Sequence, residues 1–172
     1  MPKYNYLFST HPSFLLERLI KQYQKNDKLI IAYDFDDTIS PLWCADCGDV
    51  QSVLRMCRNT LNAYFICYTS NDNMEKVKNF IEKCDIPCDA INENAPFAPV
   101  VGGKIFYNIF LDDKAGLGEA VSTLKQLLYL VRNGYVTKET NNWNDNTDYH
   151  EDMALEEVKK MIRNINKEIN YG

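Results

Sequence analysis

Apolar positions along the chain follow two periods, and the alternation between them lays out the elements. Leu15, Leu16, Leu19, Ile20 and Tyr23 recur at helical spacing over residues 12–25, with Pro12 tolerated in a first turn and Asn26-Asp27 breaking the pattern. Leu29 to Tyr33 is then a continuous apolar run that stops abruptly in Asp34-Phe35-Asp36-Asp37-Thr38-Ile39. This reads as a buried strand that delivers carboxylates to its own C-terminal edge. Val50, Val53, Leu54 and Cys57 predict a helix over 49–61, and Ala63 to Ser70 predicts an aromatic and β-branched strand ending in hydroxyls.

Asn71 or Asp72 is placed to cap a helix running to about Cys84, with Met74, Val77, Phe80 and Ile81 inward. A short third strand is predicted over 88–91, a proline-rich loop over 92–99, and a fourth strand over 105–111 that follows Gly102-Gly103-Lys104 and ends in Asp112-Asp113. Val121, Leu124, Leu127, Leu128 and Val131 mark a helix over 117–132, with Gly134 as its C-terminal cap. Residues 137–150 have no period and read as a polar linker. Leu155, Val158, Ile162, Ile165 and Ile169 predict a last helix over 152–169. Strands alternating with helices predict an α/β fold of the Rossmann-like, three-layer kind around a mostly parallel sheet, in one domain spanning 1–172.

Composition narrows the picture only a little. A chain of 172 residues buries about 70% of its unfolded surface and builds a full core. The formal net charge of −5 gives no overall electrostatic footprint for nucleic acid, so an anionic substrate would need a metal ion or a few placed cations. No apolar run approaches a membrane span and the first ten residues lack a secretory pattern, which makes the cytoplasm the expected location, without membrane attachment. The six cysteines are accordingly expected to be reduced. Two close pairs, Cys44/Cys47 and Cys84/Cys88, have spacings that would suit a structural Zn²⁺ if they converged. His11 and His150 pair with no nucleophile and are read as surface residues.

The strand ends collect Asp34, Asp36 and Thr38, then Thr69 and Ser70, then Lys104, then Asp112 and Asp113. These are the parts that phosphoryl transfer needs. A carboxylate can attack phosphorus and split one displacement into two easier ones, and Asp34, in line with its strand, is the natural nucleophile. Asp36 can protonate the leaving oxygen and later deprotonate the hydrolytic water. Hard oxygens from two loops suit Mg²⁺. Thr69 or Ser70 can hydrogen-bond a phosphoryl oxygen, with Thr38 as a further hydroxyl for the substrate, and Lys104 can offset the charge of phosphate and carboxylate together. An EF-hand loop would need a Gly and a distal Glu that are absent.

With its motifs in this order, Asp34-Phe35-Asp36-Asp37-Thr38, Thr69, Lys104 and Asp112-Asp113, the chain resembles the haloacid dehalogenase superfamily of phosphohydrolases over about residues 29–116. Its wording around Ile91-Asn92-Glu93-Asn94, Gly103-Lys104 and Phe110-Leu111-Asp112-Asp113-Lys114-Ala115 is similar to small phosphatase-like members from phages and bacteria. The resemblance implies Mg²⁺ held by Asp34, by the backbone carbonyl of Asp36 and by the 112/113 pair, with Asp113 as the ligand and Asp112 in support. Asp37 stands where the family more often has Gly. The motif spacing leaves no room for a cap domain, which implies an open site suited to large substrates or to a lid from another subunit. A receiver domain, which also uses acids, a hydroxyl and a lysine, carries them in a different order. Two alternatives remain: a zinc-binding module with the same fold and weak catalysis, and a phosphatase specific for nucleotides or polynucleotide ends. The stripe along the last helix allows docking on the sheet or a homodimer that roofs the site.

Overall fold

The computed structural model describes residues 12–41, 47–100 and 102–138. The expected C-terminal helix and its homodimer, most of the polar linker, Cys44, His11 and His150 lie outside the described residues. Within them the chain is α/β, with helices α1 (Pro12–Lys25), α2 (Gly48–Leu61), α3 (Met74–Lys83) and α4 (Leu117–Arg132) and strands β1 (Ile30–Tyr33), β2 (Tyr64–Cys67), β3 (Ala90–Ile91) and β4 (Ile109–Leu111). The four strands form one all-parallel sheet in the order β3-β2-β1-β4. The acid-bearing strand β1 is therefore internal, with a neighbour on each side.

Burial on both faces explains why β1 is apolar throughout: Ile30, Ile31, Ala32 and Tyr33 are all essentially inaccessible. On one face lie the helices. Helix α4 touches both α1 and α2. Arg55 and Arg58 of α2 reach the Cys84 carbonyl and the Asp85 carboxylate just beyond α3. Phe35 meets Phe80 of α3 edge-on at 5.5 Å. Among the described residues the opposite face is covered by chain of irregular structure instead of a helix. There Ile30, Ala32 and Ile66 pack against Ala95 and Ile105, with Ala98 and Phe106 at the margin.

That covering segment corrects the expected fourth strand. Ile105 and Phe106 continue the apolar run that suggested a strand over 105–111, but β4 begins only at Ile109. The break comes at Asn108, buried at the base of the sheet, where its Oδ1 accepts the Ile30 N–H at 2.7 Å and its own N–H donates to the Ile30 carbonyl at 2.8 Å. Ile105 spends its hydrophobicity on the sheet face, not in the ladder. A second correction concerns α3, whose cap is Asn73, accepting from the Lys76 N–H, and neither Asn71 nor Asp72. Asn133 ends α4, with Gly134 just beyond in the left-handed region at φ 74°, as that turn requires.

Candidate active site

The register of the sheet assembles the site. One step beyond the last paired positions, Tyr33 with Cys67 and Tyr33 with Leu111, come Tyr68, Asp34 and Asp112 side by side. Backbone bonds extend the ladder that far, Asp34 N–H to the Leu111 carbonyl at 2.9 Å and Tyr68 N–H to the Tyr33 carbonyl at 2.8 Å. Because side chains alternate along a strand, Asp34 follows Ala32 onto the face away from the helices. Asp34 and Asp112 are both half-buried there.

Beyond Asp34 the chain turns tightly, with Ile39 and Ser40 N–H donating to the Phe35 carbonyl and Asp37 N–H to the Ser40 carbonyl. The turn needs a left-handed residue, and Asp37 takes it at φ 59°. Aspartate tolerates this region better than most residues, which accounts for an Asp where glycine is the easier choice. Gln51 of α2 anchors the turn by donating to the Ile39 carbonyl at 2.8 Å.

Thr38, fully buried, accepts the Asp113 N–H on its Oγ1 at 3.0 Å. Its hydroxyl thus joins the first acidic loop to the last. Asp112 accepts the Lys114 N–H on Oδ1 at 2.8 Å, whereas the Asp113 side chain is exposed. Thr69 is buried, Ser70 is exposed, and Thr69 Oγ1 accepts the Asn71 N–H at 3.0 Å. Lys104 is exposed, and its backbone is held where Asn94 donates to its carbonyl at 3.0 Å. Among the described residues it forms no ion pair.

Two asparagines that sequence reasoning passed over complete the arrangement. Asn71 Nδ2 donates to both carboxylate oxygens of Asp36, at 3.0 and 3.3 Å, while its Oδ1 accepts the Asn73 N–H. Asn92 clamps Thr69 on both sides, accepting its N–H and donating to its carbonyl, each at 2.8 Å. The only available signal was position: both asparagines follow strand ends at the edge that carries the acids.

Burial pushes the Asp34 carboxyl up from 3.8 to about 6; a hydrogen bond from the Phe35 backbone opposes this, and Asp112, Asp113 and Asp36 add to it. A carboxylate crowded by three others in a half-dry setting is where a cation restores the anion. The donors on offer, carboxylates and the Asp36 carbonyl, are hard oxygens that fit Mg²⁺. That ion keeps several waters and needs only one or two carboxylates, so it does not depend on a closed cage. Among the described residues no three His, Cys, Asp or Glu side chains enclose a point. Cys47, Cys57 and Cys67 are buried, Cys84 and Cys88 half-buried, and none is in a disulfide. With Cys44 outside the described residues, the four-cysteine zinc set is not assembled among them. Burial holds the Cys57 thiol up at about 12 and raises Cys67 and Cys88 as well, so these three behave as small protonated hydrophobes. No described helix is long and apolar enough to cross a membrane.

Compared with known protein families, curated proteins and solved structures, the chain matches none.

Proposed function

We propose that the chain is a Mg²⁺-dependent phosphomonoester hydrolase of the haloacid dehalogenase type that works through an aspartyl-phosphate on Asp34. The observation that carries this reading is the placement of Asp34 at the end of an internal strand, in register beside Asp112 and one loop from Asp36 and Thr69. Bound Mg²⁺ would offset the repulsion among these acids and polarise the phosphoryl oxygens.

The residues divide the work as follows. An Asp34 oxygen attacks phosphorus, the bond to the leaving alcohol oxygen breaks, and that oxygen takes a proton from Asp36. Asp36, now a carboxylate, takes a proton from water, which attacks phosphorus and releases inorganic phosphate with Asp34 restored. Asn71 orients Asp36 by holding both of its oxygens. The Thr69 hydroxyl, its oxygen already accepting one backbone bond, donates its proton to a phosphoryl oxygen. Exposed Lys104 swings onto the phosphate once an anion is present. The cytoplasm is the proposed setting, consistent with reduced thiols.

The test is hydrolysis of a generic aryl phosphate with Mg²⁺. Wild type is expected to turn over and Asp34→Asn to be inactive, because the amide removes both the attacking anion and a metal charge. Equal turnover in the two proteins rejects Asp34 as nucleophile.

A further inference from the structure

Beside Asp34 the sheet edge carries aromatic rings that the chemistry above does not use. Tyr68 follows β2 directly, and alternation puts it on the same face as Ile66 and Asp34, away from the helices. Phe110 of β4 lies on that face too, paired across β1 with Ala32. The two rings belong to strands that flank β1 on opposite sides, yet their centroids are 6.1 Å apart. Ala32, between Ile66 and Phe110 in the ladder, contributes only a methyl group to that face. Phe110 in turn stacks on Tyr107 at 5.1 Å with 29° between the planes.

The result is a row of three rings that starts one strand away from the nucleophile. Tyr68 is 44% exposed and Tyr107 37%. Among the described residues neither hydroxyl has a hydrogen-bond partner. Single exposed apolar residues need no explanation, but contiguous aromatic area at the rim of a polar site marks a ligand surface.

Resting on the phosphatase reading, we infer that Tyr68, Phe110 and Tyr107 form a platform for the base of a nucleoside monophosphate whose phosphate lies at Asp34. Flat ring faces suit a planar heterocycle better than an alkyl chain, and the two free phenol hydroxyls suit a ring with polar edges. The net charge of −5 favours a mononucleotide over a polynucleotide, whose many phosphates would need a basic track. Base stacking is sequence-tolerant, so the platform selects nucleotides as a class without selecting one base.

The experiment compares adenosine 5′-monophosphate with ribose 5-phosphate, which has the same sugar and phosphate and no base, in wild type, Tyr68→Ala and Tyr68→Phe. The nucleotide is expected to have a KM about tenfold or more below that of the sugar phosphate, by the usual strength of base–aromatic stacking. Tyr68→Ala should remove that advantage by raising the KM for the nucleotide far more than the KM for ribose 5-phosphate, and Tyr68→Phe should keep most of it. Equal KM values in wild type overturn the inference, as does a Tyr68→Ala loss shared equally by both substrates. A phenyl phosphate preferred over the nucleotide also overturns it, in favour of a simple aryl group. Equilibrium binding of adenosine 5′-monophosphate to Asp34→Asn protein separates the two levels of argument. Binding weakened by Tyr68→Ala, with no turnover in wild type, rejects the phosphatase reading and keeps the base site; absence of binding rejects the base site.

Discussion

Thr38→Val tests whether one buried hydroxyl fastens the two acidic loops together. Thr38 is fully buried and its Oγ1 accepts the Asp113 N–H at 3.0 Å, seventy-five positions away in sequence. Valine keeps the volume and removes the acceptor. The net worth of such a bond is about 0.5–1.5 kcal/mol, and an N–H left unpaired costs about 1–3 kcal/mol when fully buried. Asp113 is exposed, so water can reach part of its backbone, and the expected destabilisation is about 1–2 kcal/mol. At roughly 2–4 °C per kcal/mol for a chain of this size, the melting temperature should fall by about 2–8 °C. The functional effect should be larger: a neighbour that orients a metal-binding carboxylate is typically worth about 10–100-fold in metal affinity or activity. Thermal melts with Mg²⁺ titrations of phosphatase activity measure both quantities, and Thr38→Ser, which keeps the oxygen, should retain the wild-type Mg²⁺ requirement. An unchanged Mg²⁺ half-saturation in Thr38→Val would refute the claim that this bond places Asp113.

Four further outcomes follow from the same geometry. The Asp34 carboxyl titrates near 6 when folded against an ordinary 3.8, so it contributes stability that is present below about pH 4 and lost as pH rises through 6. The difference is worth roughly 3 kcal/mol if fully shielded and about 1–2 after solvent screening; metal-free Asp34→Asn should therefore melt higher than wild type at pH 8, a gain that shrinks near pH 4, and equal melts at pH 8 contradict this. Asn71→Ala should lower kcat by roughly tenfold or more with little change in melting temperature, because Asp36 loses the amide that orients it; an unchanged kcat means Asn71 does not act through Asp36. Lys104→Ala should lose roughly 10²–10³-fold in kcat/KM without destabilisation, since its side chain is exposed, and a large drop in melting temperature would assign the lysine to the fold. Asn108→Ala should cost about 1–3 kcal/mol by stranding the buried Ile30 N–H, read as a lower denaturation midpoint, and full stability would mean that the bond contributes nothing.

The parallel sheet was legible because β1 and β2 carry apolar, β-branched and aromatic runs too short for helices, with clear helical periods between them. What misled was apolar character shared by different uses. Ile105 and Phe106 look like strand residues from composition, but they pack on the sheet face, and the marker of the break was the lone polar Asn108 inside the run. The helix after β2 shows the same ambiguity: Asn71, Asp72 and Asn73 are equally good caps by residue type, and Asn73 takes the role by accepting the Lys76 N–H while Asn71 Oδ1 accepts the Asn73 N–H. In the candidate site, carboxylates at strand ends announce themselves, since burying an apolar strand gives no reason for acids at its tip. Thr38 was harder to read, because a hydroxyl beside acids suits a substrate contact and a structural joint equally well.

The site's supporting bonds are largely made by amides. Asn92 holds Thr69, Asn94 holds the stretch from Lys104 to Phe106, and Asn108 pins the base of β1 to β4. Carboxamides do not ionise, so these joints are the same in weak acid as in weak base. Asp34 thus changes protonation beside joints that do not. Under the proposed mechanism, a loss of turnover as the Asp34 carboxyl takes up its proton therefore does not come from distortion of these joints, and returning the protein to neutral pH should restore full activity without a refolding lag.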